Sequence, residues 1–422
     1  MKVFGLLVVA ALAAATLVVP EPAAPVPHAP DPRAPAPYAV CPLGEAAGRT
    51  TAFPVVGGPA GQLDANVFSG GEVVATEAVT VEGSGTAVLE LADVTGLARA
   101  PVLFGLDEPS RAIETIVTGD GMAASSCGPG SPDPQVVLGG TTTEGHAYTV
   151  VLTNPFAGSA TVDVLAASEV GTESEPALEG IVVPPRSVVP VDLHSLLPGR
   201  QLISAAVITN QGQIAVGALH GSGEDISAMG GAGPSLDWYA PVPGLEGVSV
   251  TLVLYAPGTA EVPFQLDVYA PEDVFEAAHE DVIPARGQIA VPLADLLEGP
   301  GAIRVVSAGP VVAALRLERE TGNAVVPGVP VPGPAWLLPG AGRLGAAQIL
   351  VFNPGQVAVS ARLLAGSGGE VETFDVPAST MVAVTLPERP VGARVEGDGD
   401  LVVTWVTAGE GGLAGDSAQP AG

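Results

Sequence analysis

Four glycines, each lying between two apolar runs, recur along this chain at Gly121, Gly212, Gly309 and Gly399. They stand roughly 90 residues apart, a period near the size of a small domain, which points to tandem modules and not to a solenoid of short units. Most residues are then scaffold, and few are left for chemistry.

The repeat extends well beyond the glycines. Apolar runs end at Asn154-Pro155, Ala256-Pro257 and Asn353-Pro354, where proline stops a strand because it cannot donate to a sheet ladder. A second proline signal follows at Val183-Pro-Pro-Arg186, Ile283-Pro-Ala-Arg286 and Val376-Pro-Ala-Ser379, and another strand-like run comes after each. Each of the four glycines is read as the turn of a hairpin between the last two strands of its module. The first module is a weaker copy, with Phe68-Ser-Gly-Gly71 in place of the Asn-Pro turn.

Apolar residues alternate within these runs, as at Val189, Val191 and Leu193, and Val and Thr dominate them. Period two with branched side chains predicts strands. With 55 Gly and 42 Pro, long helices find few uninterrupted windows. The only helical hints are single turns at His194–Leu197 and Ala294–Leu297. The expected fold is all-β: four tandem immunoglobulin-like β-sandwich modules. The competing architecture is one larger assembly such as a propeller, in which each repeat supplies two blades. The boundaries fall at 1–19 for a signal peptide or membrane anchor and 20–43 for a Pro/Ala-rich stalk. The modules then span 44–128, 129–232, 233–328 and 329–410, before a flexible tail at 411–422.

Met1-Lys2 followed by the apolar run Val3–Val19 is an export signal, read equally as cleaved or as retained in the membrane. The prolines that follow favour polyproline II, a spacer of about 60 Å, and are read equally as a disordered leader lost with the signal. Cys41 and Cys127 are the only cysteines and flank the first module. In an oxidising exterior they are expected to pair.

Composition excludes several functions. Lys2 is the only lysine, so P-loop, Schiff-base and Ser-x-x-Lys chemistry are ruled out. A net charge of −30 repels nucleic acid and anionic membrane. The histidines, His28, His146, His194, His220 and His279, lack metal-ligand spacing. Glu396-Gly-Asp-Gly-Asp400 resembles a calcium loop in its alternating carboxylates, but the same place in other modules keeps the turn without them. Asp192 and His194 read as a surface pair. No residue is assigned a catalytic, cofactor-binding or metal-binding role, and no cofactor is expected. Trp238, Tyr239 and Trp336, just before two modules, are the candidates for stacking on a ligand, against the alternative that they seal module junctions. Trp405 is read as core.

The export signal, the stalk, Ala39-Val-Cys-Pro42, the aromatic-Pro openings at Trp238 and Trp336, and the Asn-Pro turns together resemble a family of secreted actinobacterial proteins known only as a domain of unknown function. The resemblance implies repeated β modules and brings no activity or site residue. Trp-type openings are absent from the first two modules; Pro132-Asp-Pro-Gln-Val-Val137 stands in the second. The expected role is a non-catalytic, extracytoplasmic envelope protein for scaffolding or adhesion. One alternative is a cell-wall carbohydrate-binding protein using the junction aromatics; another is a hydrolase with a site assembled between modules. The expected partners are cell-wall glycan or another envelope protein, with membrane contact only through the N-terminal segment.

Overall fold

Nearly every described segment is a strand, and the strands fall into four successive groups, Tyr38–Ser126, Gln135–Gly230, Ser235–Pro327 and Gly333–Pro420. The computed structural model describes residues 38–42, 50–83, 85–91, 100–106, 111–119, 121–128, 133–223, 225–320, 322–388, 392–409 and 412–421. The segments expected to serve export, 1–19, and as a stalk, up to residue 37, lie outside the described residues. The stalk's expected end at 43 is corrected: Tyr38–Cys41 is already a strand, paired antiparallel with Val102–Gly105.

Each group forms two antiparallel sheets packed face to face. In the second module the inner sheet runs Ser187–Asp192, His146–Asn154, Ala215–Ser222, Asp225–Gly230. Its outer sheet centres on Ala160–Ser168 and Ile203–Gln211. Tyr148, Val150 and Leu152 of one sheet meet Val162, Val164 and Ala166 of the other in a shared core. The two kinds of sheet carry different sequence patterns for a physical reason. An outer strand such as Val359–Ala365 has one wet face and alternates buried with exposed residues. An inner strand such as Ala347–Asn353 is covered on both faces and reads as a nearly continuous apolar run.

The second cover comes from a neighbouring module. The innermost strands, Met122–Ser126, Asp225–Gly230, Asn323–Pro327 and Gly412–Ser417, pack against one another in a closed ring. Val117 and Ala123 of the first module pack with Val151, Ile226 and Ala228 of the second. Leu350 and Val406 of the fourth join the core of the third. At Gly230 a Cβ would sit 2.9 Å from the Ser126 carbonyl oxygen, so only glycine permits this approach. The modules are thus arranged about a common axis and not strung end to end.

Two expectations are corrected here. The tail at 411–422 is not flexible: Gly412–Ser417 is the fourth central strand, almost wholly buried and paired with Thr404–Gly409. The glycine hairpins also need reassigning. Gly121 does lie in a hairpin, since Thr118 faces Met122. Gly212, Gly309 and Gly399 instead mark the corner where the chain leaves the outer sheet for the inner one. Gly309 and Gly399 sit inside the continuous strands Gly301–Glu318 and Ala393–Gly409, whose pairing shifts register at that point. A bulge bends one strand across two sheets. Gly212 has φ +80° and a Cβ there would lie 2.8 Å from the Ser159 carbonyl oxygen. The true equivalents of the Gly121 hairpin are the turns at Ser222–Asp225, Glu318–Asn323 and Gly409–Gly412.

Candidate functional site

Two of the three residues expected to stack on a ligand, Trp238 and Trp336, hold these corners. Trp238 and Trp336 are each only 2% exposed. The Trp238 Nε1–H donates to the Val311 carbonyl at 2.7 Å, and the Trp336 Nε1–H to Gly333 (2.8 Å) and Leu401 (3.1 Å). Val311 and Leu401 lie two residues past Gly309 and Gly399, so indole and glycine form one device. The glycine lets the strand bend, and the indole ties down a backbone carbonyl just past the bend. The second module has no tryptophan here. Gln135 serves instead, donating to the Ile214 carbonyl and accepting from Val216 N–H, both at 3.0 Å, just past Gly212. Stacking on a sugar by Trp238 or Trp336 is therefore corrected, because their ring faces are packed in protein. Tyr239 is half-buried at the junction of the third and fourth modules, 6.5 Å from the Phe352 ring centroid, with the Arg304 guanidinium 5.5 Å from its own.

The asparagines of the Asn-Pro turns are completely buried clamps. Asn353 donates to the Val357 (2.8 Å) and Val376 (3.0 Å) carbonyls and accepts from Gly355 N–H (2.9 Å). Asn154 makes the same three bonds, to Gly158, Val183 and Phe156. One side chain thus joins the two proline signals of its module.

Other polar groups join modules across their seams. His220 sits between His146 (3.2 Å) and the Asn323 side-chain oxygen (3.0 Å), bridging the second and third modules. Burial lowers its pKa to about 4, partly countered by the Asn323 bond and reinforced by Arg316 and His146. Tyr255 donates to the Leu165 carbonyl and Gln288 to that of Leu202. At the seam of the first and last modules, Glu114 accepts from Gly340 N–H (2.7 Å) and from the Trp405 indole (3.3 Å). In return Ser126 of the first module donates to Asp416 of the last at 2.7 Å. Burial raises Glu114 well above its usual range, and the Asp416 charge adds to this. Burial likewise raises Asp416 to about 6, against hydrogen bonds from Ser126 and Ser417.

Cys41 and Cys127 are joined in a disulfide, Cα–Cα 4.5 Å, tying the first outer strand to the end of the first central strand. The Asp192 carboxylate caps the helical turn Leu193–Leu196, accepting from His194 N–H and Ser195 N–H. In the acidic corner, Glu396 pairs with Arg362, and Asp398 accepts from Ser360 N–H. Among the described residues no group of three or more His, Cys, Asp or Glu is placed to hold a metal, and no helix is long and apolar enough to cross a membrane. A cleft of about 480 Å³ between the first two modules is lined mostly by apolar side chains, among them Phe68, Val151, Leu219 and Ile226.

Corner staples, turn clamps and seam bonds define an all-β protein whose buried polar side chains serve assembly. The chain belongs to the family of unknown function DUF5719, which it matches over residues 108–387. No curated protein matches it. Among solved structures it is similar to the BSP domain of a biofilm-associated protein, at 8% identity and TM-score 0.15, with 87% of this chain and 89% of that one covered. It is also similar to a tetra-tandem repeat from the extending region of a large adhesion protein, at 13% identity and TM-score 0.10, with coverages of 86% and 93%. At these TM-scores neither likeness carries an argument.

Proposed function

We propose that this protein is a non-catalytic platform of the cell envelope, exported and then released or tethered by its N-terminal segment, and used for scaffolding or adhesion. One observation carries the reading: buried polar side chains from all four modules, such as Gln135, Trp238, Asn353, Glu114 and Asp416, are bonded into corners, turns and seams. A structure held together in this way suits the rigid display of a surface. The Cys41–Cys127 disulfide supports an oxidising compartment, and the charge of −30 supports a soluble exterior. The glycan-binding alternative retains Tyr239 alone of its three rings.

Fractionation of the native cell, combined with pull-down on purified cell wall and on envelope protein extract, tests this. Recovery in the envelope or medium, with capture by an envelope component that Tyr239→Ala leaves unchanged, is the expected result. Cytoplasmic recovery with reduced cysteines would overturn the location. Capture by glycan that Tyr239→Ala abolishes would favour the carbohydrate reading.

A further inference from the structure

The closing seam of the ring differs from the others in its chemistry. Two carboxyl groups meet there, Glu114 fully buried and Asp416 nearly so. Each is held by donors from the opposite module: Glu114 by Gly340 N–H and Trp405, Asp416 by Ser126. The hairpin register also places Ser126 directly opposite Glu114, so the two carboxyls share one small region at the axis. The groups facing them are neutral: Ser126 from the central strand of the first module, Trp405 from the strand before Asp416, Ser417 N–H beside it, and the Gly340 amide. Arg111 reaches from the Glu114 strand to the Pro59 carbonyl, and Arg343 is paired with Glu90 elsewhere on the seam. Arg319, from the third module, reaches the Gly409 and Gly412 carbonyls at the turn before Asp416. Among the described residues no ion pair reaches either carboxyl. Burying two like charges without a counter-charge is costly, whereas a protonated carboxyl still accepts every one of these hydrogen bonds.

We propose that Glu114 and Asp416 form a proton-operated latch, closing the ring when protonated and loosening the seam between the first and last modules when ionised. Opening the seam returns both groups to water. The sign follows from linkage: Asp416 holds its proton more tightly in the closed ring (pKa about 6) than in the open chain (ordinary value 3.8). Closure is therefore strongest below 3.8 and weakens as pH rises through about 6, and Glu114, also raised, adds in the same direction.

Hydrogen exchange of the full chain, followed by mass spectrometry at about pH 5 and about pH 8 and corrected for intrinsic rates, tests the latch. Peptides covering 111–126 and 401–417 should lose at least tenfold in protection at the higher pH, roughly one pKa unit of linkage. The second–third seam should not loosen with them, because His220 there is raised in cost by acid and not by base. A double variant, Glu114→Gln with Asp416→Asn, should keep the closing seam protected at both pH values. Equal protection of the wild-type seam at both pH values overturns the latch whether or not the double variant folds. So does loosening of every seam together, the mark of general charge repulsion.

Discussion

Replacing Asn353 by alanine tests whether the Asn-Pro turns are clamps or merely chain breaks. The side chain is completely buried and makes three hydrogen bonds, two as donor and one as acceptor. Each contributes about 1 kcal/mol net, and a buried carbonyl left without a partner adds about 1–3 kcal/mol. Val376 is fully buried, so its carbonyl bears that penalty, whereas Val357 is exposed and its carbonyl turns to water. The loss should be about 4–6 kcal/mol. The third module sets the lower bound. It carries Ala256 at this place, and its turn retains the bond from Arg286 N–H to the Gly258 carbonyl (2.8 Å), matching that from Ser379 N–H to Gly355 (3.0 Å). Trp336 and Trp405 both belong to the fourth module, so tryptophan fluorescence during urea unfolding reports on it. Asn353→Asp separates donor from shape, since it keeps the acceptor for Gly355 but turns a carboxylate on two carbonyls; it should be worse than alanine at neutral pH. A loss below about 0.5 kcal/mol for Asn353→Ala, within the range of an ordinary surface change, would refute the clamp.

Four further outcomes are expected. Ser379 holds φ 54°, so Ser379→Gly should raise the fourth module's stability by up to about 1 kcal/mol in the same urea assay. Trp336→Phe keeps most of the ring but strands the Leu401 carbonyl, costing about 1–3 kcal/mol as followed by Trp405 fluorescence. His220 has a lowered folded-state pKa of about 4 against its ordinary 6.5, so its contribution is complete above 6.5 and is lost as pH falls toward 4. His220→Gln should flatten that part of the stability–pH curve. Reduction of Cys41–Cys127, separated by 86 residues, should cost the first module about 4–5 kcal/mol in the chain-entropy account, read by limited proteolysis with and without reductant.

Period-two Val and Thr runs, proline stops and recurrent glycines made the all-β class legible in the sequence. The placement of those features was less legible. A glycine between two apolar runs is the same local signal for a hairpin, as at Gly121, and for a strand turning from one sheet to another, as at Gly309. Only the partners of the flanking residues tell them apart. The staple that gives Gly309 its meaning comes from Trp238, 73 residues from the carbonyl it binds, and Gln135 shares no chemistry with tryptophan beyond an N–H donor. Asn154 and Asn353 were visible as turn formers, while their donors point to carbonyls contributed by the next proline signal. The strand Gly412–Ser417 escaped notice because three glycines or small residues surround Leu413, and its burial comes from the other modules. Inner strands read as nearly continuous apolar runs and outer strands alternate, a difference that becomes readable only once both faces of the inner sheets are known to be covered.

The ring's last seam joins residues that are far apart in the chain: Ser126 and its partner Asp416 are 290 positions apart. During synthesis the first sandwich must therefore stand with one flank bare while the other three are made. Contacts of such long range form late and slowly, and the waiting surface is the part of the molecule most open to wrong pairing. Acidic side chains at that flank, beside a cross-linked first sandwich, would keep the unfinished ring from capturing a neighbour before its own final strand arrives.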